Sequence, residues 1–159
     1  MIQLFTELQE KKNVRSNLSA LRASLKEATE EQKAQAIEFV RGHEDLVFGF
    51  LQEEDAKTRK NAALLLGDLA VQNALQPLWK AYTREQTLFV KSAYLEAMKA
   101  LHAEEILSQL KDRLAELEGE PVTEENRKHW EAELRALRAI LLQYEGIDTH
   151  HFDIKQKKK

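Results

Sequence analysis

The sequence predicts an all-helical chain built from stacked helix pairs, and three observations carry that expectation. Punctuation is sparse, with 5 glycines and 2 prolines in 159 residues of which 43% are hydrophobic. A sheet protein of this length needs many more turns. Apolar residues recur at helical spacing along nearly the whole chain, and the pattern repeats itself at a shift of 32 residues through the centre.

The elements follow in order. Leu18, Leu21 and Leu25 form one stripe, then Ile37, Phe39 and Val40, then Leu46, Val47, Phe50 and Leu51. After Asp55, positions Ala62, Leu65, Leu66 and Leu69 fall at i, i+3, i+4 and i+7. Leu64 lies off that stripe, so this helix is apolar around much of its girth and is expected at the centre. Leu75, Leu78, Trp79 and Tyr82 make the next stripe, and Pro77 fits only if that helix starts just before it. Val90, Tyr94, Ala97, Met98 and Leu101 mark another helix. Leu107, Leu110, Leu114 and Leu117 mark one more, stopped by Gly119 and Pro121. The last helix, with Thr123 as its cap and Glu124 and Glu125 in its first turn, carries Trp130, Leu134, Leu137, Leu141 and Tyr144 on one face, and Gly146 closes it. No segment reads as a strand.

The shift of 32 residues sets Arg59 over Lys91, Leu69 over Leu101, Leu75 over Leu107, Leu78 over Leu110 and Tyr82 over Leu114. Backwards, Leu78 falls on Leu46 and Tyr82 on Phe50. Val14-Arg15-Ser16-Asn17 matches Thr58-Arg59-Lys60-Asn61 at a shift of 44, so twelve extra residues belong to an insertion or a lengthened helix. A helix pair cannot bury its apolar face alone and must stack on neighbours, which is the physics of a solenoid. An ordinary helical bundle is the alternative.

The segment Asp55-Ala56-Lys57-Thr58-Arg59-Lys60-Asn61-Ala62-Ala63-Leu64-Leu65-Leu66-Gly67-Asp68-Leu69 resembles the second helix of a HEAT repeat, whose pattern has an Asp in the turn, a Val-Arg pair (here Thr58-Arg59), paired alanines, then Leu-Gly near the end. Gln86 to Tyr94 is a weaker copy, with Val90-Lys91 for the Val-Arg pair and Lys99 in the place of the glycine. The resemblance implies a short right-handed α-α superhelix of about four helix pairs over residues 1–146. Its irregular first repeat covers 1–42, and further repeats cover about 43–70, 73–101 and 105–144. Residues 147–159 are expected to be a polar, lysine-rich tail. More loosely, the order of these segments, with Val122 to Arg127 and Tyr144-Glu145-Gly146-Ile147, resembles the N-terminal HEAT-repeat region of bacterial RNA methyltransferase-like proteins. No residue matches a methyl-donor motif, so that activity does not carry over.

Composition excludes several classes. With no cysteine there is no disulfide, thiolate metal site or cysteine nucleophile, and a reducing, cytoplasmic compartment is expected. The start of the chain lacks the basic and apolar regions of a signal peptide, and the most apolar run, Ala62 to Leu66, is too short to span a bilayer, so no membrane is expected. Setting aside the four lysines of residues 155–159 leaves 20 basic against 27 acidic side chains, a net charge of −7 for Met1–Ile154. So acidic a body is a poor general binder of phosphate backbones, though a local basic strip is compatible with it.

No catalytic constellation, phosphate loop or cofactor motif is present, so no enzyme activity, metal or small-molecule cofactor is expected. His150, His151 and Asp153 are the one metal-like cluster, and they lack a third fixed ligand. His129 stands four residues from both Glu125 and Glu133 and reads as a surface charge contact. Glu53, Glu54 and Asp55 read as helix-capping acids. Trp79, Tyr82 and Trp130 read as core. The candidate binding residues are Arg15, Arg59, Lys60 and Lys91, basic side chains at the start of successive second helices. The family resemblance implies that such an Arg pairs with the turn acid of its own or a neighbouring repeat. The other reading is that they face an acidic protein partner, or RNA, along the inner surface. The expected function is a non-catalytic scaffold for a protein partner. The alternative is an accessory domain of an RNA methyltransferase-like enzyme.

Overall fold

A computed structural model describes residues 2–144. The protein is all-helical: nine α-helices and no strand among the described residues. It divides into two compact units, Met1–Leu101 and His102–Lys159.

In the first unit, α1 (Ile2–Gln9) leads through a tight turn into α2 (Val14–Lys26). The turn uses two left-handed residues, Lys11 and Asn13, and the Asn17 side chain donates back to the Lys12 carbonyl at 2.8 Å. Leu18, Leu21 and Leu25 are the buried stripe of α2, as their spacing requires. Next comes α3 (Glu30–Gly42), opened by a capping box in which Thr29 and Gln32 bond each other's backbone N–H. This helix is a separate element, not an extension of α2. It is fastened to α1 by Phe39, which stacks on Phe5 at 4.5 Å.

The rest of the unit alternates. A short α4 (Glu44–Gly49) and a 3-10 turn (Phe50–Gln52) precede α5 (Ala56–Asp68). After a second 3-10 turn come α6 (Leu75–Arg84) and α7 (Leu88–Lys99). Pro77 sits in the first turn of α6, where its missing N–H has no intrahelical partner to lose. α5 is the centre of the unit. It packs most extensively on α7 and next on α2, and Ala62, Ala63, Leu65 and Leu66 are all at most 1% exposed. Burying each such leucine stabilises the fold by about 1.5–3 kcal/mol.

The second unit pairs α8 (Leu107–Gly119) with α9 (Arg127–Leu142), after a 3-10 turn at Ala103–Ile106. Leu110, Leu114 and Leu117 face Leu134, Leu137, Ile140 and Leu141 as the buried residues of the two helices. The sequence expectation for the start of the last helix is off by one turn. Thr123 and Asn126 close a turn on each other, with Thr123 N–H donating to Asn126 Oδ1 and Asn126 N–H to Thr123 Oγ1, and the helix begins only at Arg127. Glu124 and Glu125 therefore lie in the turn, ahead of the helix. Trp130 is half-buried, with its indole N–H donating to the Leu117 carbonyl, and Trp79 is also half-buried; Tyr82 is fully buried. The tail 147–159, with His150, His151 and Asp153, and the closing Gly146 lie outside the described residues.

Candidate functional site

Asp55 sets the site up. Its carboxylate accepts from the Thr58 backbone N–H at 2.9 Å and from Thr58 Oγ1 at 2.8 Å, capping α5. The Thr58 hydroxyl is the first cause that holds the Asp55 pKa below the ordinary carboxylate value. One residue on, Arg59 projects from the first turn of α5 towards the turn before α7.

There it meets Glu85 in a bidentate pair, Nε to Oε1 at 2.9 Å and Nη2 to Oε2 at 3.0 Å. Arg59 Nη1 donates at 2.8 Å to each of the carbonyls of Glu53 and Glu54. Glu85 accepts in addition from the Thr87 N–H at 3.2 Å and from the Tyr94 hydroxyl at 3.0 Å. The pair is sheltered, with 17% of the Arg59 side chain and 6% of Glu85 exposed. Burial pushes the Glu85 carboxyl up, but the Arg59, Thr87 and Tyr94 hydrogen bonds and the Arg59 charge outweigh it and hold the pKa below its ordinary value. Burial, then the Glu85 charge, raises Tyr94 well above a free phenol. The Glu85 partnership raises Arg59.

This cluster forms one wall of an open groove of about 520 Å³ whose rim carries Gln52, Arg84 and Gln86. A base must have a free lone pair for the substrate proton, and the Glu85 oxygens already accept four hydrogen bonds. The raised pKa of Tyr94 keeps its hydroxyl as the donor of the Glu85 hydrogen bond.

The other predicted residues sit differently. Arg15 Nη1 stands 3.4 Å from Asp55 Oδ1, an exposed pair. Lys60 is half-buried on α5. The Lys91 ammonium lies 5.4 Å from the centre of the Tyr82 ring, a cation–π contact. Arg15 thus meets the acid that caps α5, and Arg59 the acid in the turn between α6 and α7.

Glu85 and Tyr94 are the residues that sequence reasoning missed. So was Glu133, read as the surface neighbour of His129. It is 2% exposed, and Arg113 binds it bidentately, Nε to Oε2 at 2.9 Å and Nη2 to Oε1 at 3.2 Å. His129 Nε2 reaches it only at 3.7 Å. A signal existed: Glu133 is spaced i, i+4 and i, i+7 from the buried Leu137 and Ile140.

Among the described residues no group of three or more histidines or carboxylates is placed to hold a metal, and no helix is long and apolar enough to cross a membrane. No family model, no curated protein and no solved structure matches this chain.

Proposed function

We propose that the chain is a non-catalytic, cytoplasmic binding scaffold, a HEAT-like solenoid whose second helices α2, α5 and α7 form one layer, and that it binds a protein partner. One observation carries the reading: α5 packs on both α2 and α7, the helices its sequence matches at shifts of 44 and 32. A central repeat flanked by its own equivalents is what stacking requires. The ion pairs Arg15–Asp55 and Arg59–Glu85 support it, since each ties one second helix to the turn of the next. In this reading Arg15 and Arg59 hold the layer together, while Lys60, Lys91 and the groove rim of Gln52, Arg84 and Gln86 contact the partner.

A photo-crosslinking amino acid placed at Lys60 or Lys91 in the living cell tests this. Protein adducts at both positions, lost when Arg84 is reversed to Glu, are expected. Adducts sensitive to ribonuclease, with binding of structured RNA that weakens as salt rises, would instead favour the accessory domain of an RNA methyltransferase-like enzyme. No adduct of either kind would remove the binding role from this face.

A further inference from the structure

At the opposite end of α5 from Arg59, a second groove of about 400 Å³ opens between the C-terminal ends of α2 and α5 and one side of α3. Its inner surface is apolar. Leu25 and Leu69, 8% and 7% exposed, meet Ile37 and the methyl group of Ala70. Three cations stand around it, Arg22, Lys26 and Lys33, against a single acid, Asp68. Arg22 Nε binds that acid at 2.9 Å, so those two charges offset each other. Lys26 and Lys33 are left to set the sign of the groove. The contact of Lys33 with Glu30 is 3.8 Å long, and the Glu30 side chain is 94% exposed, a loose pair that yields readily.

Helix electrostatics accounts for only part of this. Lys26 ends α2, where a cation complements the dipole. Lys33 is the fourth residue of α3, near the positive end, where a cation gains nothing from the helix. Ala70 is also out of keeping with local needs. It holds φ of 51°, a left-handed position that glycine fills without strain, and its methyl group lines the groove.

The geometry points to a docking site for an acidic protein segment, one apolar side chain entering the groove while flanking carboxylates meet Lys26 and Lys33. Charge complementarity selects this occupant. Met1–Ile154 carries a net −7, so an acidic segment is repelled by most of the chain and drawn to this cationic rim. The apolar interior favours a peptide over a phosphate backbone, which brings charge but no side chain to bury. The proposal rests on the scaffold reading above and adds the class of its partner.

The test is a low-salt anisotropy titration of the full chain with fluorescein-labelled short peptides, each a leucine flanked by glutamates at varied spacing. Amide chemical shifts locate the best binder. The expected result is shift changes at Lys26, Lys33, Ile37 and Ala70. Affinity should fall by at least about tenfold when Lys26→Glu is combined with Lys33→Glu, and equally when the peptide carries serine for leucine or glutamine for glutamate. The peptide substitutions keep the test valid if the lysine variant misfolds. Shifts gathered around Lys60 and Lys91 would overturn the groove while leaving the scaffold reading standing. Absence of binding by every peptide, or equal affinity for a single-stranded RNA, would overturn it as well.

Discussion

A Cβ built on Gly67 of α5 stands 2.9 Å from the Cα of Ala97 and 3.2 Å from its Cβ. The two helices touch backbone to backbone there, so the glycine near the end of α5 serves close approach and not a turn. Gly67→Ala should therefore destabilise the protein by about 1–3 kcal/mol, although alanine is the better helix former by about 1 kcal/mol. Ala97→Gly in the same chain should restore only part of the loss, because it removes the Ala97 methyl group and leaves the tighter approach to the Ala97 backbone. Thermal unfolding of the three variants checks both statements. A neutral Gly67→Ala would mean that α5 and α7 are farther apart.

Removing Arg59 should be severe. Arg59→Met leaves the Glu85 carboxylate sheltered without its counter-charge and the carbonyls of Glu53 and Glu54 without their donor. The expected loss is about 3 kcal/mol, read by urea denaturation. Arg15→Met, by contrast, removes an exposed pair with 55% and 46% of the side chains in solvent, and should cost less than about 1 kcal/mol.

Glu85 also predicts how stability depends on pH. Its folded pKa lies below the ordinary value of 4.5, so as pH falls the unfolded chain takes up the proton first. The stabilisation from Glu85 is full above about pH 4.5 and is lost as pH drops through the folded pKa. Urea midpoints measured downward from pH 6 should fall more steeply in the parent than in Glu85→Gln, which has no charge to lose. Parallel curves would show that Glu85 is not held in its charged form.

How much of this was legible beforehand depends on the kind of signal. Spacing alone located Leu18, Leu21 and Leu25 and the α5 stripe, because burial on one helix face leaves a period in the sequence, while the α8 stop at Gly119 was legible from the glycine and the proline beyond it. The Arg15 and Arg59 positions were also visible, through their equivalence in the repeat. The resemblance implied pairing with a turn acid, but not which acid each would meet. Glu85 lies in a turn, where no period distinguishes a sheltered acid from a solvated one, and only the path of the chain brings it to Arg59. The separate helix α3 was visible as an excess of residues, but its caps at Thr29 and Gln32 went unread.

Ala70 offers a gain. Its N–H donates to Gly67 O at 3.0 Å and the Val71 N–H to Leu66 O at 3.0 Å, the bonds of a Schellman ending for α5. That ending needs a left-handed residue, which an L side chain resists by roughly 1–2 kcal/mol, partly offset by the greater freedom of glycine in the unfolded chain. Ala70→Gly should raise stability by about 0.5–1 kcal/mol, seen as a higher urea midpoint with an unchanged slope. A lower midpoint would place the worth of the Ala70 methyl group above the backbone strain.

The two sheltered Arg–Glu pairs should recover to different extents on apolar replacement. In α8 and α9, Arg113→Leu alone strands the 2%-exposed Glu133 and should cost about 3 kcal/mol. Adding Glu133→Leu removes the stranded charge. Glu116 and Glu120, which also contact Arg113, stay solvated, with 67% and 43% of their side chains exposed. The double variant should then return to within about 1 kcal/mol of the parent, since well-packed apolar side chains replace a buried ion pair at little cost. The corresponding double replacement of Arg59 and Glu85 should recover far less. It leaves the Glu53 and Glu54 carbonyls, the Thr87 N–H and the Tyr94 hydroxyl without the partners that Arg59 and Glu85 supply. Comparable recovery in both pairs would mean that those backbone and phenol hydrogen bonds are readily replaced by water, and that the Arg59 cluster is an ion pair and nothing more.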